Sequence, residues 1–368
     1  MTHILLDSVL APNPTLFTDH EVGTGRGSKS STRKVDHYVK IKPSNVEIWE
    51  DFNFSTIISG YGHVIHTILK EPPRFRPTRS MCELGGETSM RNIVLTWCKD
   101  RVNEGMKSAA ASIQRELLQS QIEPSLRVEE IGIKRNPELD RNVPRIRGDR
   151  AGTFFKPDTY VIGLVERNKG PIYMPIEIKP STIWQSSMLL DETVDPNTAL
   201  HPLRQLGTYC KSCDVRIGLI ITSNEAVAVR YYNIDVWEVG CQYMPVPWSN
   251  SGRQLTVNFT LWACVMLSLN DKYHHIVPRS HLFPDISTWQ AEPGLWRTTY
   301  RHIYSGHLLK KAVRKGQPPN EIPERIMVNI GASDGDLRKE QNKIKARKNV
   351  EAVEKRTLHT VKSGRVTK

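Results

Sequence analysis

Cysteine is scarce in this chain: six in 368 residues, too few for a disulfide framework in a protein of this length. One pair, Cys210-x-x-Cys213, has the spacing of half a zinc site or a redox pair. No second CxxC and no His pair at zinc-finger spacing accompanies it, so both read as ordinary thiols at a helix end. Long apolar runs are also missing. No segment reaches the roughly 20 apolar residues that a membrane-spanning helix needs. The nearest, LTVNFTLWACVMLSL from Leu255 to Leu269, carries Asn258 and two threonines and reads as a packed core helix or a strand-helix segment. The opening MTHILLDSVLAPNP lacks the basic region and long apolar run of a secretory signal. The expected protein is therefore intracellular, nuclear or cytoplasmic, with no membrane partner. A phosphate-binding loop is incomplete as well: Gly23 and Lys29-Ser30 are suitably spaced, but Ser28 stands where the motif needs glycine and no clear helix follows. No internal repeat is present.

What the chain does have is positive charge. Lysine and arginine number 51 against 39 acidic residues, a formal charge of +12 that favours a polyanionic partner, nucleic acid and DNA foremost. Part of this charge is concentrated at the ends. The stretch VGTGRGSKSSTRK reads as a mobile basic arm, and Arg338 to Lys368 holds eleven basic and three acidic residues, an excess of eight (11 − 3). Clusters KKAVRK from Lys310 and KIKARK from Lys343 have the character of nucleic-acid-binding or nuclear-localisation segments. Only 38% of residues are hydrophobic, enough for a sizeable core together with long extensions.

The stretch KPDTYVIGLVERNKGPIYMPIEIK, Lys156 to Lys179, organises the rest. Two β-rich runs flank the turn-forming RNKGP, which predicts a β-hairpin. Strand alternation places Glu177 and Lys179 on one side and Ile176 and Ile178 towards the core. Antiparallel pairing through a short turn brings Asp158, at the start of the first strand, towards Glu177 and Lys179 at the end of the second. Two carboxylates held this close repel unless a cation lies between them, and hard oxygen ligands favour magnesium or manganese. Lys179 beside them is suited to orient a water, accept its proton or neutralise charge on a phosphate. The competing reading of Glu177-x-Lys179 is a solvated strand edge.

Pro157-Asp158 and Glu177-Ile178-Lys179 resemble the two half-motifs of the PD-(D/E)XK nuclease superfamily. Gln205-x-x-x-Tyr209, within HPLRQLGTYCKSC, is similar to the signature of its RecB-like branch. The strand candidates VRIGLIITS and EAVAVRYYNI follow, an order similar to the family core and, in layout, to nuclease-like domains of uncharacterised fungal proteins. The resemblance implies an α/β fold: a restriction-endonuclease-like core, a central mixed β-sheet flanked by helices, with N- and C-terminal extensions. It implies catalysis by Asp158, Glu177 and Lys179, with magnesium or manganese on Asp158 and Glu177. Gln205 and Tyr209 would position the strand. An acidic residue on a preceding helix is also implied, Glu87 first and Glu83 second, where the alternative is a charge favourable to the helix dipole.

That helix is expected from Glu83 to about Gln119, with Met90, Ile93, Val94, Trp97 and Val102 on its apolar face. The expected organisation is a flexible basic arm over 1–45, an extension packed on the core over 46–77 and the nuclease-like domain over 78–246. A C-terminal extension over 247–320 and a basic tail over 321–368 complete it. Two rival functions remain. One is a nuclease-fold nucleic-acid binder without catalysis. The other is an HNH-type nuclease, because His274-His275-Ile-Val-Pro resembles the opening of that motif, although His302 and His307 follow without a suitable Asn.

Overall fold

Apolar runs at strand and helix spacing sort this chain into a sheet between helices. The computed structural model describes residues 4–18, 38–66, 69, 73–119, 130–135, 146–147, 154–155, 157–165, 168–279, 284–293 and 298–309. The Gly/Ser-rich arm over 19–37, the Arg-rich connection over 136–145 and both C-terminal basic clusters lie outside the described residues.

In chain order, α1 (Leu5–Leu10), β1 (Val46–Ile48), α2 (Phe54–Ile65), α3 (Glu87–Ile93) and α4 (Lys99–Gln119) come first. Then follow β2 (Glu130–Arg135), β3 (Thr159–Val165), β4 (Asn168–Ile178), α5 (Pro196–Ser212), β5 (Ile217–Ile221), β6 (Glu225–Asn233), β7 (Val239–Pro247) and α6 (Val257–Ser268). A small antiparallel sheet of β8 (Trp289–Pro293), β9 (Thr298–His302) and β10 (Leu308–Leu309) comes last. A π-helical turn, Val94–Cys98, joins α3 to α4. These residues belong to one unit, Met1–Lys315.

The central sheet has seven strands in the order β1-β7-β6-β5-β4-β3-β2. It is mixed: β4 runs parallel to β5 and β7 to β1, while the other neighbours are antiparallel. A parallel step needs a crossover, and α5 supplies it between β4 and β5. Pro196 opens that helix, and the Asp195 carboxylate caps it by accepting from the Thr198 amide at 3.0 Å. Its apolar stripe, Leu203, Leu206 and Cys210, buries against Ile220, Val227, Val229 and Tyr231 of β5 and β6.

The opposite face of the sheet lies under α6, whose twelve residues are all buried. This helix packs on β4 to β7 and on α4. A helix apolar on every side belongs in an interior, and of the two readings of Leu255 to Leu269 the core helix is the one observed. Thr256 starts it by accepting from the Phe259 amide at 3.1 Å. No helix among the described residues is long and apolar enough to cross a membrane.

The central layers draw on residues outside 78–246. β1 pairs with β7 through Val46 and Cys241, and α6 seals one face. Within 1–45, Leu5 and Val9 are buried, and so are Tyr38, Val39 and Ile41. The Val39 amide donates to Thr208 Oγ1 at 3.0 Å and Arg204 Nη2 to the Ile41 carbonyl at 3.1 Å, which docks this segment on α5. The Gly/Ser-rich composition between these apolar stretches hid them in the sequence.

Candidate functional site

β3 and β4 pair antiparallel with Thr159 opposite Ile176, and register shifts interrupt the pairing further along, at Ile162. Continued by one residue, this register sets Asp158 opposite Glu177, and the next amide along, that of Ile178, donates to Asp158 Oδ2 at 3.0 Å. Glu177 is opposite Ile220 of β5 and so shares its face, the face covered by α5. Lys179 extends the β5 pairing by donating from its amide to the Ile221 carbonyl at 3.0 Å. The sheet is covered on both sides here, and Glu177 is only 1% exposed. A solvated strand edge is therefore not what this motif forms.

The side chains converge as an ion-pair network. Lys179 Nζ lies 2.5 Å from Glu177 Oε1. Arg91, one turn beyond Glu87 on α3, donates from Nη2 to Glu87 Oε1 at 2.6 Å and also to Asp158 Oδ1. Glu177 Oε2 is buried with no hydrogen-bond partner. Glu83 takes no part: it is exposed and lies 3.7 Å from Arg79.

Burial dominates the electrostatics. It pushes Glu177 up to about 8, with Asp158 and Glu87 adding to the rise and Lys179 opposing it. Glu87 is raised too, by burial first and then by Asp158. Burial pulls Lys179 down, but Glu177, Asp158 and Glu87 outweigh this and hold the amine above its ordinary value. These two directions compete, because a protonated Glu177 offers Lys179 less to pair with. The upward direction for Glu177 is the firmer one, since it rests on a fully enclosed carboxylate with an orphan oxygen.

α5 supplies one wall. Gln205 Nε2 donates to the Tyr209 hydroxyl at 2.8 Å. Tyr209 is held well above its ordinary value, by burial first and the Glu177 charge second. His201, four residues before Gln205, is lowered by burial and then by Lys179. Tyr38 packs edge-on against His201 with ring centres 5.4 Å apart, and is raised to about 12 by burial and then Glu177. His201, Gln205 and Tyr209 thus form one i, i+4, i+8 stripe beside the carboxylates, closed by Tyr38 from the N-terminal segment.

The structure brings together Asp158, Glu177, Lys179 and Glu87, with Gln205 and Tyr209 adjacent. Sequence reasoning missed Arg91, His201 and Tyr38. The spacing Glu87-x-x-x-Arg91 and the extension of Gln205-x-x-x-Tyr209 back to His201 were available signals. Tyr38 carried none, because nothing local links it to a helix more than 160 residues away.

Divalent-cation binding can be tested on the donor set. Among the described residues no three His, Cys, Asp or Glu side chains form a metal-holding group. A small hard cation does not need one, since magnesium keeps waters and uses one or two carboxylates plus substrate oxygens. Asp158 and the orphan Glu177 Oε2 fit that requirement.

The histidines of the HNH-like stretch are placed differently. His274 is buried, with Nδ1 bonded to the Ser268 carbonyl at 2.8 Å, and His275 pairs with Asp214 at 2.8 Å on the surface. His302 lies in the core, lowered to about 3 by burial, with Nε2 at 2.5 Å from the Ile286 carbonyl. All three have local structural partners.

Set against known proteins, the chain matches no family model, no curated protein and no solved structure. The geometry therefore carries the functional reading alone.

Proposed function

We propose that this protein is a metal-dependent nuclease that hydrolyses phosphodiester bonds of nucleic acid, DNA foremost, on a restriction-endonuclease-like core. The observation that carries this reading is Glu177. An acid on a central strand, 1% exposed and with one oxygen unpartnered, costs stability and packs poorly. It makes sense as a ligand waiting for a cation, with Asp158 as the second carboxylate.

Bound magnesium or manganese supplies Lewis-acid polarisation of the phosphodiester and a water of lowered pKa. The chain's own groups do the rest. Asp158 is oriented by the Ile178 amide, which leaves Oδ1 turned towards the cluster. Lys179, beside Glu177 at the end of β4, orients the attacking water and offsets charge on the phosphate. Gln205 and Tyr209 are placed to position the nucleic-acid strand. The formal charge of +12 adds an attraction for the phosphate backbone.

The test is cleavage of labelled single- and double-stranded DNA and RNA with magnesium or manganese, comparing wild type with Asp158→Ala and Lys179→Ala. Metal-dependent cleavage lost in both variants supports the reading. Cleavage that persists in both sinks it, and metal-independent binding that neither variant changes favours a binding protein instead.

A further inference from the structure

The resting site already holds a cation of its own. Three carboxylates, Glu87, Asp158 and Glu177, share two basic groups, Arg91 and Lys179. Lys179, just past the end of β4, belongs to Glu177. Arg91 comes from another element, α3, and bridges Glu87 and Asp158 through Nη2 alone, at the position where the second carboxylate would meet a metal. Every carboxylate oxygen that faces a base is taken, and the buried oxygen without a partner is Glu177 Oε2.

From this geometry, and resting on the metal-dependent reading above, we infer that Arg91 is a built-in counter-ion that a divalent cation must displace from Asp158. The charges make the exchange reasonable. With Glu177 deprotonated to receive the metal, the five groups carry 2 − 3 = −1, and the divalent cation brings the cluster to +1. One phosphodiester, with its single negative charge, restores neutrality. Arg91 released from Asp158 but still held by Glu87, the most exposed of the three carboxylates, stands where a guanidinium suits a phosphate. Asp158 and Glu87 are more exposed than Glu177, with side chains 17% and 41% exposed, so the bridge can open without unpacking the sheet.

The site then loads only when cation and substrate together replace Arg91. A guanidinium that merely orients Asp158 predicts the opposite sign: its removal would loosen the carboxylate and weaken metal binding.

The experiment is isothermal titration of the full chain with manganese alone, for wild type, Arg91→Gln, Arg91→Lys and Glu177→Ala, each first shown to be folded by its thermal transition. The expected result is manganese binding on the order of tenfold tighter in Arg91→Gln, because a like charge has left the site. Arg91→Lys, which keeps the charge on a shorter side chain that reaches Asp158 less well, falls between, and either folded variant decides the matter. Equal or weaker binding in the Arg91 variants, with binding still lost in Glu177→Ala, overturns the inference and leaves the metal site standing. If neither wild type nor Arg91→Gln binds manganese in a Glu177-dependent way, the metal-dependent reading falls and takes the inference with it.

Discussion

The amide of Ile178 donates to the carboxylate of Asp158 at 3.0 Å, so the strand that carries Glu177 and Lys179 also aims the acid of its neighbour. This tie makes Asp158→Asn an informative substitution. The new side-chain oxygen can keep the Ile178 bond while the charge is gone. Metal-dependent cleavage is expected to fall by about 100-fold or more with little change in melting temperature. A variant that cuts as well as wild type removes Asp158 from the chemistry.

Glu177 links the site to pH. Its ordinary value is 4.5 and burial lifts it to about 8. A carboxyl raised on folding binds its proton more tightly in the native state, so its stabilising effect is complete below pH 4.5 and fades as pH rises through 8. In chelator, stability should decline across this window by an amount on the order of a few kcal/mol. Glu177→Gln should flatten the slope in denaturant titrations run at several pH values. An unchanged slope assigns the pH dependence elsewhere.

Gly60 of α2 faces the imidazole of His302, and a Cβ at that position would lie 2.4 Å from the ring. His302 is fixed by Ile286 and Ser305, and Ser305 Oγ donates to the Gly60 carbonyl at 2.9 Å, so the ring has little room to yield. Gly60→Ala should destabilise by about 1–3 kcal/mol. The change is read as a lowered unfolding midpoint at constant m-value, and a midpoint equal to wild type would show that the ring moves aside.

Tyr209→Phe removes the hydroxyl to which Gln205 donates at 2.8 Å and leaves that amide with a lost bond near the buried carboxylates. A cost of roughly 1 kcal/mol in equilibrium unfolding is expected. If Gln205 and Tyr209 position the strand, cleavage falls further than this loss of stability explains. Cleavage that falls no further makes the pair purely structural.

Truncation after Gly331 removes the eight-charge excess of the Arg338 to Lys368 segment. Nucleic-acid affinity should weaken and its salt dependence become shallower, with the thermal transition unchanged. Loss of that transition means that the segment supports the fold.

Local patterning carried much of this architecture. The hairpin, the α5 stripe and the β5–β6 pair were legible because each repeats apolar residues at its own period within a single window. The convergence of Asp158, Glu177 and Lys179 followed from antiparallel pairing across one short turn. What stayed hidden depends on distant partners. Burial of Glu177 requires α5 above its strand and α6 below, and no window around Glu177 contains either helix. Arg91 reads locally as half of an i,i+4 pair with Glu87, and its second partner is 67 residues away. Tyr38 lies beside a Gly/Ser-rich basic stretch whose composition argued for a free arm.

The closing of both faces by distant segments also sets an order of assembly. Thr256, which starts α6, donates to the Val9 carbonyl 247 residues earlier, and β1 joins the sheet only through β7. Such long-range closures are slow to form, and during synthesis they wait for the chain beyond Pro247. Until α6 emerges, the face of β4 bearing Ile176 and Ile178 has no cover. The strand that carries the acidic cluster therefore lacks its second apolar cover in a growing chain, and the layer behind the site is completed only as one of the last acts of folding.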